Sequence, residues 1–140
     1  MADLIFDMAK EYIGDGTIDL DNDTLKVLLL ADTYTPDQTD AVYADIIADE
    51  IAAANGYSTG GYTLQDVTWA NTAGVTKLDA SDPVWSTASF TARYAVVYDD
   101  TPDSDPVDPL LCLLDFGANK TGQGGNFYIT LHANGLMRAT

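Results

Sequence analysis

Over most of this chain apolar residues recur with a period of two, the spacing that places alternate side chains on one face of a strand. The longest such run is Trp85 to Tyr98. Phe90, Ala92, Tyr94, Val96 and Tyr98 share one face, while Thr91, Arg93, Ala95 and Val97 share the other, which predicts a single strand with one face in a core. Asp99-Asp100-Thr101-Pro102 ends it, because proline has no amide to donate and aspartate favours turns. Thr24 to Leu30 closes on Val-Leu-Leu-Leu and predicts a central strand covered on both faces, with Leu110 to Phe116 as a second apolar strand near it. Tyr62 to Trp69, Val75 to Asp79 and Asn126 to Ala133 complete the strand-like segments. In the last of these, Phe127, Ile129, Leu131 and Ala133 point one way, and Tyr128, Thr130 and His132 the other. Gly60-Gly61, Asn71 to Gly74, Ser81-Asp82-Pro83 and Asn134-Gly135 are the intervening turn signals. Thr33 to Asp40, broken by Pro36, Thr101 to Pro109 and the glycine-rich Gly117 to Gly125 read as loops, and Leu136 to Thr140 as a short final strand.

Two segments carry a helical period instead. Asp3 is a candidate cap for Leu4, Ile5, Met8, Tyr12 and Ile13, which repeat at helical spacing until Gly14 and Gly16. A helix of about ten residues is marginal alone, so its apolar stripe must dock on its own core or on a neighbouring subunit. Val42, Ile46, Ile47, Glu50 and Ile51 predict a second short helix within Val42 to Ala54, stopped by Asn55-Gly56. The pattern as a whole predicts one mainly β domain over residues 1–140. It would be an antiparallel β-sandwich of about seven or eight strands over 24–140, with an N-terminal α-helix within 1–14 and a short helix between the first strands.

Composition changes this picture in one respect. At 46% hydrophobic the 140-residue chain has the makings of a folded core, yet it carries 22 acidic side chains against 6 basic ones, a formal charge of −16. All the acids except Glu11 and Glu50 are aspartate, which suits turns better than helices. Such a charge repels phosphate backbones and disfavours direct nucleic-acid binding. It fits a basic partner surface, divalent cations or simple solubility. No apolar run approaches the length of a membrane span and no secretory leader precedes the first segment, so the expectation is a soluble chain made in a cytoplasm.

Candidate chemistry is sparse. Asp19, Asp21 and Asp23 alternate like the opening of a calcium loop, but counted from Asp19 the sixth and twelfth positions hold Thr24 and Leu30, so an EF-hand fails. A looser Ca2+ site there remains the one cofactor candidate, and no other metal or cofactor is expected. Asp99, Asp100, Asp103, Asp105 and Asp108 form a second acidic group that reads as solvated turns. The single histidine, His132, lies on a polar strand face away from any nucleophile motif, and Cys112 lies inside Leu110 to Leu114 as a small buried hydrophobe. The Lys120-Thr121 pair lacks the glycine that a phosphate loop places before its lysine. No catalytic residues are predicted and the chain reads as a non-enzyme. Tyr57, Tyr62, Trp69, Trp85, Tyr94, Tyr98 and Tyr128 could serve as core, interface anchors or a sugar platform.

Asp23-Thr-Leu-Lys-Val-Leu-Leu-Leu30, Thr33-Tyr-Thr-Pro-Asp37, Gly56-Tyr57, Gly60-Gly-Tyr-Thr-Leu64, Lys77-Leu-Asp79, Trp85 to Pro102 and Pro109 to Gly117 occur in a fixed order. Together they make the chain from about Asp23 to Phe116 resemble a family of small virion structural proteins of tailed bacteriophages. The N-terminal segment and residues 42–54 depart most from that pattern. The resemblance implies a role and a location in the virion. Within it, a capsid decoration or cement protein that stabilises the assembled head is expected, with the major capsid protein or other virion proteins as partners and a homotrimer as a reasonable assembly. A tail, baseplate or fibre-attachment component is the alternative, and a carbohydrate-binding module for host attachment is the alternative of another class. Leu4, Ile5, Met8, Tyr12, Tyr128, Thr130 and His132 are the candidate interface residues.

Overall fold

The computed structural model describes residues 2–139. In chain order the elements are β1 (Leu4–Ile5), α1 (Asp7–Gly14), β2 (Leu25–Leu30), α2 (Tyr43–Ile46) with a 3-10 turn at Ile47–Asp49, β3 (Tyr62–Thr63), β4 (Thr68–Thr72) and β5 (Val75–Asp79). They continue with β6 (Val84–Ala88), β7 (Thr91–Asp99), β8 (Leu110–Thr121), β9 (Gly125–Tyr128) and β10 (Met137–Ala139). All pairings are antiparallel. They make a five-stranded sheet in the order β1-β8-β7-β2-β3, a three-stranded sheet β10-β5-β4 and a two-stranded ribbon β6-β9. The result is a mainly β, sandwich-like fold with two short helices.

β2, β7 and β8 form its centre. In β2 only Lys26 escapes full burial, as its apolar run requires. β7 is buried on both faces from Tyr94 to Asp99, which corrects the expectation of a one-sided strand: the residues alternating with the aromatics are Ala95 and Val97, small enough for a second layer to cover.

The run from Trp85 to Tyr98 is also two strands rather than one. The chain turns a corner after Ala88: Thr87 has φ of 53°, the Ser89 amide donates to the Asn55 carbonyl at 2.8 Å, and β6 pairs with β9 while β7 pairs with β2 and β8. Gly56 permits this crossing, since a Cβ there would stand 2.7 Å from the Thr87 carbonyl oxygen. Trp85 fills the corner edge-on to Phe90 and Phe127, with ring centroids 6.2 and 6.0 Å away.

Five other expectations need correction. Leu4 and Ile5 are a strand, paired with Leu113 and Cys112, and the helix starts only at Asp7 with Phe6 before it. Asp3 is therefore not its cap, and its carboxylate accepts the Asp115 amide at 2.7 Å. The Tyr62 to Trp69 run breaks at Asp66, which has φ of 53°, leaving β3 on the main sheet and β4 on the three-stranded one. Most of the glycine-rich 117–125 segment is strand: β8 runs through to Thr121, bulging where Phe116 to Asn119 oppose Arg93. The second helix is shorter than its pattern, because Glu50 bridges to Leu30 and Ile51 donates to the Leu29 carbonyl. β9 stops at Tyr128, short of Ala133, and the final strand pairs with β5; its expected last residue, Thr140, lies outside the described residues.

Candidate functional site

A cleft with a volume of about 390 Å³ lies where the main sheet meets the segment following β9. One wall is the outer edge of β8 at Leu114, Asp115 and Phe116; the other is Ile129 to His132, with Leu136 and Asp3 closing it. The floor is apolar because Leu114, Phe116 and Leu131 are partly buried against the core and Ile129 and Leu136 belong to it.

The polar rim is tightly arranged. The Asp115 carboxylate accepts the Gly117 amide at 2.7 Å and Arg93 at 3.1 Å, and these contacts, the amide first, hold it below the ordinary aspartate range. Arg93 in turn lies over the Tyr94 ring at 5.1 Å. His132 Nδ1 accepts the Asn134 amide at 3.0 Å, so the neutral ring carries its proton on Nε2. Thr130 and His132 line this cleft, whereas Tyr128 stands outside it with 62% of its surface exposed.

No family model, curated protein or solved structure matches the chain.

The N-terminal interface candidates behave differently. Leu4, Ile5 and Tyr12 pack on the chain's own core, Met8 is half-buried, and the fully buried anchors of the segment are Phe6 and Ala9. Their apolar surface is largely consumed by the fold itself.

The calcium candidates Asp19, Asp21 and Asp23 sit in one turn, but the Asp19 and Asp23 carboxylates are engaged with that turn. Asp19 accepts the amides of Asp21 and Asn22 and the Asn22 side-chain amide, and Asp23 accepts the Asp19 amide at 2.9 Å. The Asn22 side chain, then the Asp21 amide, lowers the Asp19 carboxyl's pKa. Among the described residues no three His, Cys, Asp or Glu side chains are grouped to hold a metal ion.

Asp99 is the clearest departure from a solvated acidic cluster. It is fully buried at the end of β7, with the Thr101 amide donating to Oδ1 at 2.9 Å. Its Oδ2 has no donor, and the neighbouring Asp23 carboxyl brings a second acceptor towards it. Burial first, and Asp23 next, push the Asp99 carboxyl up to about 8.

Glu50 is a second site that sequence reasoning missed. Its carboxylate accepts the hydroxyls of Tyr43 and Tyr57 and the Gly60 amide, the latter two at 2.5 and 2.9 Å. Burial and this carboxylate push both phenols up. The cluster fastens the 50–61 connection onto β2, where the Tyr57 hydroxyl also accepts the Leu29 amide at 3.2 Å. A usable signal was present: Glu50 is the only glutamate after Glu11 in a chain otherwise acidic through aspartate. Cys112 is fully buried and burial pushes its thiol up to about 12, which suits packing rather than nucleophilic chemistry.

Proposed function

We propose that this chain is a non-enzymatic structural protein of a tailed-phage particle, mounted on the assembled head as a decoration or cement protein, with the major capsid protein as its partner. The supporting observation is where the virion-like motifs fall. Asp23 to Leu30 contains β2, Trp85 to Pro102 contains β7 and most of β6, and Pro109 to Gly117 contains the first half of β8. β2, β7 and β8 are neighbouring strands of the main sheet. The motifs thus describe a shared scaffold, and particle contacts are left to the loops and the cleft, which are free to differ.

The physics suits this role. A charge of −16 keeps free copies apart in solution, and a shell surface of complementary charge gathers them. Many copies on a symmetric lattice then stabilise the shell by mass action and avidity, without an active site.

The test is copy number in purified particles, measured by quantitative mass spectrometry with the major shell protein as internal reference. Copies comparable with the shell protein are expected. A handful would move the chain to the tail or baseplate, and absence from the particle would remove the virion reading.

A further inference from the structure

β8 has a strand partner along only part of its outer edge. β1 covers Cys112 and Leu113, and among the described residues no strand pairs with Leu114, Asp115 or Phe116 on that edge. Across the cleft, residues 129–132 run on beyond β9 with alternating burial, Ile129 and Leu131 inward and Thr130 and His132 outward. The amides of Ile129 and Leu131 turn to the Pro83 carbonyl and the Asp82 carboxylate, while among the described residues the Thr130 amide and carbonyl have no partner. A sheet edge whose Asp115 amide is held only by a side-chain cap, facing the free amide and carbonyl of Thr130 across an apolar floor, is completed by an added strand, which supplies main-chain hydrogen bonds and side chains for the floor.

We propose that this cleft binds an extended segment of a partner protein by strand addition beside β8, and that the segment alternates apolar residues with lysine or arginine. The apolar half follows from Leu114, Phe116, Ile129, Leu131 and Leu136 on the cleft surface. The basic half follows from charge: Asp3 and Asp115 stand on the wall, and a second copy of this chain would bring another −16 to the contact. The volume, about 390 Å³, lies at the small end of ligand clefts and suits a few residues of one strand. Asp3, which caps the Asp115 amide in the free protein, is displaced by the incoming strand and turns to its basic side chains. This inference names the recognition chemistry of a partner and stands whether or not that partner belongs to a phage particle.

The probe is a ten-residue peptide alternating valine and lysine, compared with one alternating valine and glutamate, by titration and by amide hydrogen exchange on the intact chain. The lysine peptide is expected to bind, with exchange slowed at 114–117 and 129–132 and affinity falling as salt rises. Thr130→Pro removes an amide that bonds nothing in the free protein and is expected to weaken binding by about tenfold with little change in thermal unfolding. Should that variant unfold, the exchange map on the unaltered chain decides alone. Lack of binding up to about 1 mM, equal binding of the glutamate peptide, protection elsewhere, or undiminished binding to a folded Thr130→Pro chain would each overturn the proposal.

Discussion

Asp99 couples the stability of this protein to pH through a single proton. The native state holds that proton up to about pH 8, while an unfolded chain releases it near pH 4, the ordinary aspartate value of about 3.9. Between these limits the native state binds more protons, so stability falls as pH rises, with a slope approaching about 1.4 kcal/mol per pH unit. Asp37 and Asp115, whose hydrogen bonds lower them, act in the opposite sense and lose their contribution as pH falls below that range. Urea unfolding across mildly acidic to mildly alkaline pH is therefore expected to show greatest stability at the acidic end. Asp99→Asn, whose amide can donate towards Asp23 without a titrating proton, is expected to flatten the profile. An unchanged slope in that variant would mean that another group holds the proton.

The elements show which parts of the fold were legible in the sequence and which were not. β2, β5 and the first half of β8 stand where their apolar runs and turn signals put them, because each lies within one sheet and its period is not interrupted. Trp85 to Tyr98 misleads because alternating burial survives the corner at Ser89: Ala88, Phe90 and Ala92 are all buried, although Ala88 ends β6 and Ala92 belongs to β7. Leu4 and Ile5 mislead because two strand residues followed by a helix from Asp7 also satisfy a helical period. The cleft was only half legible. Thr130 and His132 are readable as an outward strand face, but Leu114 and Phe116 become their neighbours only through tertiary packing. Because Phe6 and Ala9 have no exposed surface, Phe6→Ala is expected to cost about 3–5 kcal/mol. Removing residues 1–14 is expected to abolish cooperative thermal unfolding. A truncated chain that still melts cooperatively would show the segment to be an appendage available to a partner.

For the whole molecule, charge opposes compaction. With 22 acids, 6 bases and only three ion pairs among the described residues, the native state concentrates like charge that the unfolded chain disperses. Sodium chloride from low to physiological ionic strength is expected to raise the melting temperature by screening that repulsion. A flat or falling response would show that local pairs dominate instead. Connectivity sets a different constraint. The Ala2 amide donates to the Leu136 carbonyl at 2.8 Å, and β10 closes on β5 at Met137. On the ribosome, then, the first strand is made long before its partner: Leu4 and Ile5 wait for Cys112 and Leu113, and their neighbour Ala2 waits longer. Until residue 136 has left the exit tunnel, the growing chain carries an unsealed seam at the β1 end of its main sheet and along β5. Its apolar strands are guarded in that interval chiefly by the aspartates in the turns between them.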